Sequence, residues 1–282
     1  MIDKLCVRDG RVCAQGVFLR IAERFGARLP IKGGRGLKHL GKLMESIIEA
    51  KNVCMDFKIG DGSVVHALRG INMQIRPNRL SVLRGRSGSG KTTLINILGA
   101  LDRPTSGEVF FLGRENDITK LSDSARDKLR RLDMAFVFQS VALISTMTAF
   151  ENVEFALRLT KLPYKERVER ARQSLVEVGL EKRMNHRPGE MSGGEQQRVA
   201  IARAISHSPK IIFADEPTAE LDSPTGFAVM NLFRELVRKN DLTIVMTTHD
   251  TSMMELADIV YTLEDGVIGD VKINEDMEAD NA

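Results

Sequence analysis

The chain has 282 residues, 43 % of them hydrophobic and 28 % charged, enough apolar material for one large domain or two small ones. No apolar run approaches the ~18–20 residues of a membrane span, and Arg20 and Glu23 break the best N-terminal apolar stretch, so neither a spanning helix nor a signal peptide is expected. The net charge of +3 divides into a basic front (ten Lys/Arg against four Asp/Glu in 1–45), an acidic end (one Lys against four acids in 271–282) and a neutral middle, which argues against a nucleic-acid groove in the core.

In chain order, the front carries Phe18, Ile21, Phe25 and Leu29 on one side of a helical projection and Arg20, Arg24 and Arg28 on the other. Such a basic amphipathic helix could lie on a membrane surface or dock on a partner. A disordered extension and an upstream start codon are the plainer readings; Met44 opens "MESIIEAKNV", a plausible natural beginning. Cys6, Cys13 and Cys54 form no CxxC pair and have no histidine at zinc spacing, so they read as reduced thiols of a cytosolic protein.

From residue 47 strands and helices alternate. "IIEAKNVCMDF" and "VVHALRGINMQI" have strand-like spacing, and Asp61-Gly62 between them signals a hairpin. "RPNRL" is a turn, with Pro77 fixing φ and Asn78 tolerating the left-handed region. "LSVLRG" is a short apolar strand entering a glycine-rich loop, and "GKTTLINILGAL" is a helix with Leu94, Ile97, Leu98 and Leu101 on one face. Residues 140–190 read as mainly helical, with Phe150, Val153, Phe155, Leu157 and Leu159 as apolar positions, then a charged helix between Pro163 and Gly179. "KIIFADEP" and "LTIVMTTHD" read as buried parallel strands whose C-terminal ends carry polar residues.

Gly85-Arg86-Ser87-Gly88-Ser89-Gly90-Lys91-Thr92-Thr93 is a P-loop between strand and helix. Its N–H groups form an anion nest, Lys91 is suited to bridge β- and γ-phosphates, and the Thr92 hydroxyl to ligate Mg²⁺. Asp215 ends an apolar strand where it can hold Mg²⁺, and Glu216 beside it is free to accept a proton from an attacking water. His249 and Gln139 have the same strand-end address, and Gln139 can touch Mg²⁺ or the water. Ser192-Gly193-Gly194-Glu195 fits a capping box, S-x-x-E. That reading leaves the paired glycines unexplained unless another group must approach the backbone, so a second phosphate grip stands beside it.

Together these motifs closely resemble the ATP-binding-cassette (ABC) ATPases over about residues 47–270: Walker A 85–92, Gln-loop Gln139, signature 191–195, Walker B 211–216, D-loop 219–222 and switch His249. The resemblance implies an α/β fold: a P-loop NTPase core with a mostly parallel sheet, an antiparallel β subdomain and a helical subdomain at about 140–190. It divides the chain into a basic extension 1–45, an ATPase domain 46–270 and an acidic tail 271–282. It implies ATP and Mg²⁺ as cofactors, Phe57 stacked on adenine, and hydrolysis served by Glu216, His249 and Gln139. Thr92, Gln139 and Asp215 would hold the metal. It implies head-to-tail pairing with a second copy or a related cassette, the signature Ser192–Glu195 gripping the partner's ATP and Asp222 at the same interface. The remaining partner would be an integral membrane permease, holding the chain peripherally at the cytoplasmic face. Met191 and Glu195 depart from the family's commonest signature, LSGGQ, and Ala219-Glu220 from the usual D-loop. The segments around these motifs look most like the lipoprotein-release and macrolide-export group. A cell-division type signalling role is the alternative. A DNA-repair or chromosome ATPase is disfavoured, because no long heptad insert separates Walker A from Walker B.

Overall fold

The computed structural model describes residues 7–8, 11–12, 46–60 and 62–274. The chain divides into two units, 1–44 and 45–282. In the first, β1 (Val7–Arg8) pairs antiparallel with β2 (Arg11–Val12). The expected amphipathic helix around Phe18–Leu29, Cys6, Cys13 and most of the acidic tail lie outside the described residues.

The second unit opens with β3 (Ile48–Lys58) and β4 (Val64–Ile75), an antiparallel pair whose strand-like spacing was evident in the sequence. β6 (Ser106–Phe111) joins the other edge of β3, giving the order β4-β3-β6. A six-stranded sheet follows the order β11-β10-β5-β9-β8-β7: β5 (Leu80–Arg84), β7 (Met134–Val137), β8 (Ile211–Ala214), β9 (Thr243–Thr248), β10 (Ile259–Glu264) and β11 (Val267–Ile273). Its first five strands in chain order run parallel and only β11 is antiparallel. β8 and β9 are buried at every residue, as strands covered on both faces must be.

Alternation along the strands sends side chains into two cores. Leu80, Val82, Ile212, Ala214, Ile244 and Met246 meet one set of helices: α3 (Ala149–Arg158), α4 (Tyr164–Glu177), α5 (Gly193–Ile205) and α6 (Ser223–Asn240). Leu83, Ile211, Phe213 and Val245 face the other way, toward α1 (Lys91–Leu98) and the antiparallel sheet. Helix α2 (Asp123–Leu132), capped by Ser122, precedes β7.

Two sequence expectations need correction. Helix α1 ends at Leu98, not Leu101: Gly99 N–H closes on Ile95 O and Ala100 turns left-handed at φ 56°, so Leu101 falls outside the apolar stripe and is 36 % exposed. The Ala100 carbonyl released by that turn accepts from Arg126 Nε (3.1 Å) and Nη2 (2.9 Å) and from Arg130. In α3 the inward stripe is Ala149, Val153 and Leu157, at i, i+4 and i+8. Phe155 and Leu159 lie off that stripe and face solvent, and residues 140–148 are not helical. The turn expectations hold at Asn78 (φ 55°) and Gly179 (φ 74°).

Candidate functional site

Parallel strands deliver their C-terminal ends to one edge of the sheet, where ligands bind in open α/β folds. β5 ends into the glycine loop, β7 leads to Gln139, β8 to Asp215 and Glu216, and β9 to His249.

Gly88 and Gly90 hold φ of 81° and 101°, a region closed to most side chains. At Gly90 a Cβ would also stand 2.6 Å from the Ala67 carbonyl oxygen on β4. Behind the loop, Gly266 N–H donates to Ser89 O (3.1 Å) and the Gly266 carbonyl accepts from Arg69 N–H (2.8 Å), so the β10–β11 turn buttresses the cradle. Arg86 and Ser87 are exposed, as expected of residues facing a ligand or a partner, and Thr92 and Thr93 lie in the first turn of α1.

Lys91 is buried, and its Nζ donates to Gly85 O (2.9 Å) and Arg86 O (3.1 Å). Glu216 Oε1 lies 3.8 Å from Lys91 Nζ, and Glu216 Oε2 lies 3.3 Å from His249 Nδ1. Glu216 itself sits at φ 45°, a conformation that costs a non-glycine residue about 1–2 kcal/mol and that collects at functional sites. A residue missed in the sequence holds it there. The Thr247 hydroxyl donates to Asp215 Oδ1 (2.6 Å) and accepts from Glu216 N–H (2.8 Å), fixing both acids from the neighbouring strand. The signal was present in the "TTHD" run of β9, where Thr247 alternates with its neighbours across the pleat. A cavity of about 190 Å³ opens beside the cluster, lined by Glu216, Thr218, Leu221, His249, Asp250 and Met253.

Among the described residues no hydrogen bond or ion pair joins Gln139, Phe57 or Asp222 to this cluster. Gln139 is exposed beyond the end of β7 and makes no hydrogen bond among the described residues. Phe57, 44 % exposed, pairs with Val65 near the hairpin end of β3, two residues before Ala67. At α5 the capping box is complete: Ser192 Oγ accepts from Glu195 N–H (3.3 Å) and Ser192 N–H donates to Glu195 Oε2 (2.8 Å). The glycines divide in purpose. A Cβ at Gly194 would stand 2.3 Å from Thr225 Cγ2, so that glycine serves the α5–α6 contact within the chain. At Gly193 a Cβ would meet only Leu221, at an ordinary 3.5 Å, so intrachain packing does not demand it. Asp222, exposed, is the N-cap of α6 without a side-chain cap bond. Among the described residues no hydrogen bond or ion pair joins 192–195 to the Lys91–Glu216 cluster.

The donors suit a magnesium nucleotide. The buried Ser89 Oγ lacks a hydrogen-bond partner in the cradle, Lys91 hydrogen-bonds only carbonyls of its own loop, and Thr92, Asp215 and Gln139 offer the oxygen ligands that Mg²⁺ prefers. Among the described residues no group of three or more His, Cys, Asp or Glu side chains could hold a metal without such help.

The family profile described as ABC transporter matches residues 68–219. The lipoprotein-releasing system ATP-binding protein LolD of Hahella chejuensis is 42 % identical over 210 residues, 74 % of this chain and 90 % of that protein. The macrolide export ATP-binding/permease protein MacB of Wolinella succinogenes is 43 % identical over 226 residues, 80 % of this chain but only 34 % of that longer protein. Among solved structures, the dimeric post-hydrolysis state of the cassette MJ0796 of Methanocaldococcus jannaschii, bound to ADP and Pi, superposes with a TM-score of 0.72 at 39 % identity, covering 80 % of this chain and 98 % of that one.

Proposed function

Because this chain belongs to the ABC transporter family of ATP-binding cassettes, we propose that it hydrolyses ATP while paired head to tail with a second copy of itself and so drives a separate integral membrane permease of the lipoprotein-release or macrolide-export kind. The observation that carries the reading is the meeting of Lys91, Glu216 and His249, linked at 3.8 and 3.3 Å, beside the glycine loop.

In this reading the loop N–H groups and the N-terminus of α1 receive the phosphates, and Lys91 exchanges its loop carbonyls for the β- and γ-phosphate oxygens. The Thr92 hydroxyl, Asp215 and Gln139 would hold Mg²⁺, which when bound would supply charge neutralisation at the phosphate oxygens. Glu216 takes the proton of the attacking water, and His249 steadies Glu216 and faces the γ-phosphate. The Phe57 ring stacks on adenine, for which an exposed aromatic face suffices. Ser192, Gly193, Gly194 and Glu195 of each chain close over the partner's ATP, and Asp222 stands at the same seam. That packing within the chain does not demand a glycine at 193 supports that closure, as does the dimeric form of the related MJ0796 cassette.

Phe138 and Ile144, both exposed and flanking Gln139, offer apolar surface to a permease. No helix among the described residues is long and apolar enough to cross a membrane.

The test uses Glu216→Gln, which should bind ATP but lose roughly a hundredfold or more in turnover, the usual worth of a general base. Held closed by Mg-ATP, it would serve as bait in detergent-solubilised membranes of the source cell, with mass spectrometry reading the prey. A co-purifying multi-span protein is the expected result. Wild-type turnover, or no ATP-dependent dimer by light scattering, would contradict the assignment of Glu216. A closed dimer with no membrane companion would contradict the coupling role.

A further inference from the structure

The signature segment carries a charge that opposes its proposed task. Glu195 stands in the first turn of α5, where a carboxylate offsets the partial positive charge that a helix N-terminus presents to an anion. Its carboxyl is held below the usual range, first by the Ser192 backbone N–H and in addition by Arg183, so it remains ionised at neutral pH. A negative group there works against closure on a γ-phosphate.

The compensating cation comes from outside the motif. Arg183 ends the 3₁₀ turn Glu181–Arg183, twelve residues upstream, and its Nε donates to Glu195 Oε1 at 3.0 Å. Its Nη1 lies 3.2 Å from His186 Nε2. Glu195 thereby has one oxygen on the Ser192 N–H and the other on Arg183, and its carboxylate is turned back along its own chain. Arg183 is the only cation in an ion pair with Glu195 among the described residues.

We propose that Arg183 is a positioning residue for ATP-driven dimer closure: it neutralises Glu195 and fixes its rotamer, which lets a signature ending in glutamate accept the partner's γ-phosphate. The inference rests on the head-to-tail reading above, and it explains how the Glu195 departure is tolerated. Two such pairs act in each dimer, one over each nucleotide.

The experiment is a double-mutant cycle in the Glu216→Gln full-length chain, reading the apparent dimer Kd in Mg-ATP by analytical ultracentrifugation. Arg183→Gln should weaken the dimer by roughly tenfold, the scale of a charge at a helix terminus acting at two sites. Glu195→Gln should leave it equal or tighter, and adding Glu195→Gln to Arg183→Gln should restore it to within about twofold of Glu195→Gln alone. Arg183→Lys, which keeps the charge, should retain most of the affinity. Binding of a fluorescent ATP analogue to the monomer's own loop should be unchanged in all four variants.

A double variant as weak as Arg183→Gln would overturn the proposal, because it would make the arginine a structural tie and nothing more. So would an Arg183→Gln dimer as tight as the parent. If the parent Glu216→Gln chain forms no Mg-ATP dimer at all, the head-to-tail reading fails first, which separates the two failures. Should Arg183→Gln not fold, salt dependence decides. The parent dimer should then be the less sensitive to ionic strength, since its ion pair leaves no net charge at the signature whereas Glu195→Gln leaves Arg183 unpaired beside the partner's phosphate. A parent response as steep as that of Glu195→Gln, or steeper, would count against compensation.

Discussion

Lys91 hydrogen-bonds two carbonyls of its own loop, so its positive charge holds the cradle's shape as well as awaiting an anion. Lys91→Ala removes both contributions. Charge-assisted hydrogen bonds are each worth about 1.5–3 kcal/mol, so ATP affinity should fall by at least tenfold. Calorimetry of ATP binding checks this, and an unchanged Kd would remove Lys91 from the site. Glu216 shows the same economy. Its strained backbone aims one carboxylate oxygen at Lys91 and the other at His249, and Thr247 secures the peptide that makes the turn. The sequence singled out Asp215, Glu216 and His249 from their strand-end addresses and Lys91 from the glycine-loop pattern. It did not disclose Thr247, because its pairing with Asp215 spans 32 residues and depends on which strands are neighbours.

At the scale of elements, the same limit separates what was legible from what was not. Strand periodicity, Asn78, Pro163 and Gly179 act locally, and the hairpin, the turns and the helix limits they mark are where they were expected. Helical spacing put Leu101 on the apolar face of α1, but the helix ends before it; Phe155 and Leu159, apolar positions of α3 and its end, fall off the inward stripe and face solvent. Gly194 illustrates a close approach that only the fold reveals. Gly194→Ala drives a Cβ to 2.3 Å from Thr225 Cγ2 and should destabilise the chain by about 1–3 kcal/mol, the cost of overpacking. Thr225→Ala deletes the obstructing methyl and leaves Thr225 Cβ as the nearest atom, at 3.7 Å, so the double variant should recover most of the loss in urea unfolding. Additive losses would mean that the two helices are not held apart at this point.

Among the described residues, every buried member of the two apolar clusters lies between Ile47 and Leu263. The antiparallel sheet is tied to the parallel one by the Tyr261 hydroxyl, which donates to Gln74 O at 2.5 Å and whose pKa is pushed up to about 12 by burial. A chain begun at Met44 should therefore melt within about 4 °C of the full chain, the shift expected from ~1 kcal/mol in a domain of this size. Scanning calorimetry of both forms checks this. A larger fall would make the basic front part of the folding unit.

The buttress behind the glycine loop has a consequence for how the protein is made. β5 finds its sheet neighbours only in β9 and β10, and Ser89 meets its support at Gly266, about 180 residues later in synthesis. At translation rates of ~5–20 residues per second, the strand and loop wait on the order of ten seconds or more before their partners emerge. During that interval Leu80–Arg84, an apolar strand whose first four residues are buried in the fold, is exposed to premature association. The glycine loop is made well before the strands and the turn that support it.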